Sequence, residues 1–298
     1  MTQYGVPLYL YLYYIGKMPK ITRNHLSKWF SIIVFSILFI GWIVYSDNNE
    51  NFDSKYEIDY YVITMKSDDR LKNISDQTNI INNEKIPDDS KIVIQQIDAV
   101  VGANLNLQEL VDSNVLAQGF YEDSKRRRGQ LGCTLSHLKI YDIIKDKQSS
   151  GSGDYSVIFE DDFEVVTPEF INIVNSSLEI SKDEDFDMLL LGNNQTSYGD
   201  GTHPKNKGEN VKENVYQFNP NIMFFGTHAI LINNKNIQNI IDSLKYITEP
   251  IDQQIYVRGC EQKINILTLY PCIVEQLGEI KSTIEGYSGV DYSVIRLG

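Results

Sequence analysis

Cysteine and positive charge are both scarce in this chain, and each shortage excludes some classes of protein. Three of its 298 residues are cysteines, and its 27 Lys and Arg are outnumbered by 40 Asp and Glu, for a formal net charge of -13. Cys133, Cys260 and Cys272 form no CxxC pair and do not have the spacing of zinc ligands, and their positions neither predict nor exclude a disulfide. Without a broad basic surface, nucleic acid is not expected as a partner. The sequence also lacks a GxGxxG fingerprint, a P-loop and an internal repeat.

A long uncharged run lies near the N-terminus. Residues 29–46 carry no charged side chain, which is near the minimum length that spans a bilayer. Basic residues precede this run and acidic residues follow it, so the positive-inside rule places the N-terminus in the cytosol. No small-residue cleavage site follows, which favours an uncleaved signal anchor over a signal peptide; a buried core helix is the other alternative. The sequence therefore predicts a cytosolic tail (1–28), a transmembrane signal anchor (29–46), a stalk (47–57) and one main domain (58–298).

Three adjacent carboxylates lie directly after a predicted buried strand of the main domain. Residues 155–159 read YSVIF, a short apolar run typical of a buried strand, and Glu160, Asp161 and Asp162 follow at once. Adjacent acids repel each other and are costly to desolvate, so a strand that ends this way favours a nearby hard cation such as Mg²⁺ or Mn²⁺. The alternative is a solvated acidic turn.

Strand and helix patterns alternate along the main domain. Apolar runs predict strands at 58–65, 91–97, 155–159, 187–192, 222–232 and 263–270. Helical spacing or capping residues predict helices at 71–81, 130–144, 168–180 and 234–244, and another that begins at Pro250. This alternation predicts an α/β fold with a mixed, mostly parallel sheet. In such sheets ligands bind at the carboxyl ends of strands, which is where the three acids would lie.

Six segments follow one another over residues 58 to 285. They read YVITMKSDDRLKNI, GQLGCTLSHLKIYDII, SVIFEDDFEV, GTHAILIN, PIDQQIYV and PCIVEQLGEIKSTI. In this order they resemble motifs of glycosyltransferase family 25, which includes lipopolysaccharide and procollagen galactosyltransferases. Three places depart from the family pattern. The first turn, Ser67-Asp68-Asp69-Arg70, lacks the Pro and the further Arg that are common there, Gln130 replaces a glutamate, and His228 replaces a common tyrosine. The changes at Gln130 and His228 leave acid–base assignments near them open, while the acidic triplet is intact.

The resemblance implies a GT-A type nucleotide-sugar-binding fold, a UDP-sugar donor and a divalent metal, for which Mn²⁺ is expected. It also implies transfer of galactose, or next glucose, with inversion, to a hydroxyl of a glycan or protein. Residues 58–298 would then be the glycosyltransferase domain, joined to the membrane through the N-terminal helix. In a eukaryote or a virus that domain would lie in the ER or Golgi lumen; in a bacterium the membrane would be the inner one.

The expected chemistry assigns roles to the acids. A metal held by carboxylates neutralises the leaving diphosphate, and we expect Asp162 as its firmest ligand and Asp161 as the second. Glu160 is expected to face the ribose or an outer-shell water. Inversion needs a base for the acceptor hydroxyl, and Asp252, which opens a helix beside a proline, is the candidate. The alternative for Asp252 is a helix N-cap.

Five further residues are expected to contact the nucleotide sugar. Arg70 follows the first strand and would contact the nucleotide or a phosphate, unless it is a surface guanidinium. His228, with Gly226 and Thr227, lies where the backbone approaches a ligand, and it would bind metal or diphosphate. Asn193 follows a buried strand and would hydrogen-bond a sugar hydroxyl. By contrast, His137 lies on an apolar helical stripe, which favours a core histidine over a ligand.

Two other function classes stay open on the sequence. One is a catalytically degenerate transferase fold that binds a glycan or a partner without turnover, for which the departures at Gln130 and His228 leave room. The other is a metal-dependent phosphoesterase that uses the same carboxylates without any sugar nucleotide.

Overall fold

The computed structural model describes residues 56–84, 91–120, 127–148, 153–195 and 210–277. All of them belong to one compact unit, Ser54–Gly298. The predicted tail and signal anchor, and all but the last two residues of the predicted stalk, lie outside the described residues. Within the described ranges, no helix combines the length and the apolar character needed to cross a bilayer.

A mixed sheet of eight strands runs through the described domain, in the order β2-β1-β3-β8-β5-β9-β7-β6. Its pairings give six strands one direction, while β7 and β8 run the opposite way. The predicted α/β fold with a mixed, mostly parallel sheet is therefore confirmed. A separate antiparallel pair joins β4 to β10. The strands are β1 Ile58–Thr64, β2 Ile94–Asp98, β3 Tyr155–Glu160, β4 Phe163–Val165, β5 Met188–Gln195, β6 Asn210–Lys212, β7 Val215–Gln217, β8 Phe224–Asn233, β9 Ile266–Leu269 and β10 Val274–Gln276.

Apolar cores lie on both faces of the sheet, which explains why its central strands are continuously hydrophobic. On one face Tyr61, Ile158, Ile230 and Leu190 stand side by side across four strands. The residues next to them along the strands, such as Phe159, belong to the core on the other face.

Helices cover each face of the sheet. On one side pack α1 Asp68–Asn82 and α4 Phe170–Ser181. On the other pack α3 Arg128–Gln148, α5 Ile237–Leu244 and α6 Ile251–Cys260. A short helix, α2 Leu107–Asp112, and two 3-10 turns, Gly102–Asn104 and Asn234–Asn236, are also present.

The predicted elements are present, with shifted ends. The helix predicted at 130–144 runs from Arg128 to Gln148, and the strand predicted at 187–192 continues to Gln195. Four strands were not predicted: β4, β6, β7 and β10. Each is three residues long, too short to show an alternating pattern, and depends on a partner strand far away in the sequence or across a turn.

Candidate active site

The acidic triplet lies where β3 ends, and its neighbours come from a strand of the opposite direction. Glu160 is the last residue of β3, and Asp161 and Asp162 form the turn into β4. Because β8 is antiparallel to β3, with Ala229 opposite Phe159, the beginning of β8 lies at the edge where β3 ends. Thr227 and His228 therefore stand beside the triplet.

Glu160, Asp162 and His228 form a cluster that fits a divalent metal. One ligand atom from each lies within 4.8 Å of the others. Asp162 Oδ1 and both ring nitrogens of His228 are buried without a hydrogen-bond partner among the described residues. Buried polar atoms are seldom left unpaired, so these atoms point to a ligand between them. Carboxylates and imidazole are both common ligands of divalent metals.

Gly226 shapes the end of β8 that carries His228. Its φ is +73°, a left-handed conformation that glycine adopts without strain. A Cβ at this position would lie 2.5 Å from Cε1 of the His228 ring, so only a glycine lets the ring occupy its place. The Gly226 N–H donates to Asp252 Oδ2 at 3.0 Å, which joins the imidazole region to the predicted base.

Asp252 is held by backbone donors at the start of α6. Its Oδ1 accepts from the N–H of Gln253 at 2.8 Å, in addition to the Gly226 bond at Oδ2. The cap position itself belongs to Pro250, so Asp252 is not the N-cap of α6. Burial raises the pKa of Asp252, and the charge of Glu160 adds to the shift, although the two backbone bonds oppose it.

Glu160 has partners on two elements. Its Oε1 accepts a hydrogen bond from Thr227 and lies 3.5 Å from His137 Nε2. Burial alone would raise the pKa of Glu160, but its interactions with His137, His228 and Thr227 outweigh burial and lower the pKa to about 2. Glu160 is thus an ionised carboxylate inside the site. In Asp162, by contrast, burial and the charge of Glu160 raise the pKa.

Arg70 and Asp161, both predicted as ligand contacts, are paired with each other. The Arg70 guanidinium contacts Asp161 Oδ1, and the side chains are both 6% exposed. The other carboxylate oxygen, Oδ2, accepts from the N–H of Met65 at 2.9 Å. With both oxygens engaged, Asp161 is not among the clustered metal-ligand candidates of the described residues. The geometry favours an anchoring role for the pair; the predicted ligand contacts of Arg70 and Asp161 stay predictions.

Asn193 is the predicted contact for a sugar hydroxyl. It lies in β5 beside a bulge at Gly192 and is 8% exposed. Neither atom of its side-chain amide has a hydrogen-bond partner within the described ranges. A buried amide with a free donor and a free acceptor has the chemistry to bind a hydroxyl.

Several site contacts were not predicted. Gln276 in β10 donates to Asp162 Oδ2 at 3.0 Å, and the Leu277 N–H donates to the Asp162 carbonyl at 2.7 Å. Asn73 in α1 donates to the carbonyls of Asp161 and Phe163 and so fixes the turn between β3 and β4. The only advance signal for these residues was their place inside family-like segments.

The GQLGCTLSH segment holds α3 against the site through two sets of residues. Gly132 packs so closely that a Cβ there would lie 2.5 Å from the Val100 carbonyl, and Ser136 accepts from the Val100 N–H at 2.8 Å. Cys133 and His137, one position further on, face Glu160. His137 is fully buried, as predicted for a core histidine, yet it also contacts the site.

Comparison with known proteins agrees with the motifs. The model of "Glycosyltransferase family 25 (LPS biosynthesis protein)" matches residues 57–255, about two thirds of the chain. Procollagen galactosyltransferases 1-A and 1-B of Xenopus laevis are 27% and 26% identical over 128 and 134 residues, 41% and 43% of this chain. Those stretches cover 20% and 21% of the relatives' own lengths.

Solved structures with a similar arrangement are distant. A mannosyltransferase from Pyrobaculum calidifontis, in complex with GDP-Man and Mn²⁺, is 10% identical, with a TM-score of 0.40 over 80% of this chain and 64% of its own. TarS of S. aureus is 11% identical, with a TM-score of 0.39 over 74% of this chain and 60% of its own. The extent of the family match is what decides the assignment: the chain belongs to glycosyltransferase family 25.

Proposed function

We propose that this protein is a metal-dependent hexosyltransferase with a GT-A type fold. It moves galactose, or next glucose, from a UDP-sugar to a hydroxyl of a glycan or protein acceptor, with inversion at the anomeric carbon. The observation that carries the proposal is the Glu160–Asp162–His228 cluster with its unpaired buried atoms, beside a buried Asp252. Galactose is placed first because the curated relatives are named as galactosyltransferases.

The cluster supplies the electrostatics of such a reaction. Glu160, Asp162 and His228 would hold Mn²⁺, which when bound acts as a Lewis acid toward the leaving diphosphate. Gln276 and Thr227 orient the two carboxylates, as outer partners of metal ligands do. In this role Glu160 departs from the ribose contact expected from the sequence.

Asp252 is the proposed general base. It is buried, and the Gly226 and Gln253 N–H groups fix its carboxylate, leaving lone pairs to accept the proton of an acceptor hydroxyl. A raised pKa brings a carboxylate closer to the pH at which it works as a base. Asn193 is the proposed contact for a sugar hydroxyl, since neither its amide donor nor its amide acceptor has a partner among the described residues.

We further propose that the domain is joined to a membrane by residues 29–46, with the N-terminus in the cytosol. The uncharged run and the flanking charges support this proposal. In a eukaryotic or viral setting the domain would work in the ER or Golgi lumen.

A donor screen on the full-length protein tests the activity. UDP-galactose and UDP-glucose are incubated with and without Mn²⁺, and UDP release is measured for the wild type and for Asp162→Asn. We expect metal-dependent release by the wild type and a loss of about 100-fold or more in the variant, because a metal ligand is removed. The matched control is Asp242→Asn, since the Asp242 side chain is 52% exposed and its hydrogen bonds are to Gln238 and Lys245, away from the site.

Two outcomes would contradict the proposal. Equal, metal-independent background from the wild type and Asp162→Asn would favour a degenerate binding protein. Release of phosphate from simple esters without any sugar nucleotide would favour a phosphoesterase.

A further inference from the structure

A second group of metal-binding side chains lies directly behind the proposed centre. Cys133 and His137 are one helical turn apart on α3, so both face the same way, toward Glu160. Cys133 Sγ is 3.9 Å and His137 Nε2 is 3.5 Å from Glu160 Oε1. All three ligand atoms lie within 4.8 Å of one another.

The spacing of these atoms is close to that around a tetrahedral ion. Zinc lies about 2.3 Å from a thiolate sulfur and about 2.0–2.1 Å from an imidazole nitrogen or a carboxylate oxygen, which puts neighbouring ligand atoms roughly 3.3–3.7 Å apart. Small rotations of Cys133 and Glu160 would bring their atoms into that range. Thr227 Oγ1, 3.3 Å from His137 Nε2, marks where a fourth ligand would lie.

The donor chemistry differs from that of the first cluster. Glu160–Asp162–His228 has two carboxylates and suits a hard ion, whereas a thiolate selects softer ions such as Zn²⁺ and Cd²⁺. His137 is fully buried, while the Glu160 side chain is 21% exposed, so an ion would enter past Glu160.

We propose that Cys133, His137 and Glu160 form a second metal site that takes Zn²⁺ or Cd²⁺. On binding, the Cys133 thiol gives its proton to solvent and its sulfur bonds to the ion, with no change of oxidation state. Because Glu160 belongs to both sites, an ion held by Cys133 and His137 competes for the carboxylate that the transferase centre needs. The site therefore makes the enzyme sensitive to inhibition by soft divalent ions, a consequence that rests on the proposed function.

Titration of the full-length protein with Cd²⁺ tests binding without any assay of transfer. A cadmium–thiolate bond gives an ultraviolet charge-transfer band, and the chain has only three cysteines to supply it. We expect one such band in the wild type, its loss in Cys133→Ser, and its retention in the controls Cys260→Ser and Cys272→Ser. His137→Gln should weaken the Cd²⁺ affinity about 10-fold or more, because an imidazole ligand is removed while a polar side chain stays.

The outcomes separate this site from the proposed activity. A band that survives in Cys133→Ser, an affinity unchanged in His137→Gln, or the absence of a band in the wild type would each overturn the site. If Cys133→Ser fails to fold by circular dichroism, His137→Gln decides. Transfer from a UDP-sugar, measured at fixed Mn²⁺ with added Zn²⁺, should be inhibited in the wild type and at least several-fold less in Cys133→Ser. A cadmium band without any sugar transfer would support the metal site and contradict the proposed function.

Discussion

At the scale of single residues, the site depends on how each carboxylate is satisfied. Asp161 and Asp162 are adjacent, yet Asp161 is saturated by Arg70 and Met65 while Asp162 keeps one oxygen unpaired. The sequence predicted both as metal ligands, with Asp162 the firmer. Their different surroundings could not be predicted, because the turn after β3 sets the direction of each side chain. That turn is fixed by Asn73 and β10, which lie far away in the sequence.

Removing Arg70 should cost more stability than removing a surface cation. Arg70→Ala leaves Asp161 as a buried, unpaired charge, and we expect a loss of about 3–5 kcal/mol in the free energy of unfolding. Urea denaturation measures it. The matched control is Lys72→Ala on the same helix, whose ion pair with Asp76 is exposed and worth about 0–1 kcal/mol. Equal losses in both variants would mean that the Arg70–Asp161 pair is not an anchor.

The pH dependence of transfer should report Asp252. Its pKa is raised by burial, so Asp252 keeps its proton to a higher pH than an ordinary aspartate, for which the pKa is about 3.9. A base must be ionised, so kcat/KM should rise with pH through a midpoint above that value. Asp252→Asn should lower kcat by about 10²–10⁴-fold and remove this limb of the profile. A wild-type rate and profile in the variant would exclude Asp252 as the base.

At the scale of elements, the predictable part of the fold is the part with long patterns. Strands β1, β3, β5 and β8 were predicted because each contains three or more consecutive apolar residues. Glu160, at the end of one of these strands, was found for the same reason, whereas His228 was found through the family-like segment around it. Gln276 was not, because β10 has three residues and is defined by pairing with β4.

The position of helix α3 determines where two side chains of the site, Cys133 and His137, lie. Gly132→Ala would place a methyl carbon 2.5 Å from the Val100 carbonyl, and backbone must move to relieve the contact. We expect a loss of about 1–3 kcal/mol in stability and a weaker site, since Cys133 and His137 move with the helix. Gly119→Ala is the control, because no atom lies within 4 Å of the added carbon there. Similar unfolding midpoints for the two variants would show that the close approach of Gly132 is dispensable.

At the scale of the whole molecule, residues distant in sequence meet at one edge of the sheet. β1 and β3 end there, and β8, which runs the opposite way, begins there. Ligands are expected at the carboxyl ends of parallel strands, and this expectation identified Glu160. It did not identify the start of β8, which was found through the family-like segment at 226–233.

A metal that binds this edge should stabilise the entire domain. At about 100 times its Kd, Mn²⁺ should add about 2.7 kcal/mol, or roughly 5–10 °C in Tm. Thermal unfolding of the full-length protein with and without Mn²⁺ measures the shift, which should vanish in Asp162→Asn and persist in Asp242→Asn. A shift that Asp162→Asn leaves intact would place the ion elsewhere.

The order of synthesis determines when Asp162 can form its contact with β10. Asp162 is translated early, but two of its hydrogen bonds come from Gln276 and Leu277, more than one hundred residues later. While the chain emerges from the ribosome, the sheet from β1 to β8 is available before either donor exists. The last acid of the triplet therefore acquires its final hydrogen bonds only after residue 277 has left the exit tunnel, so the nascent domain passes through a stage at which its centre is still incomplete.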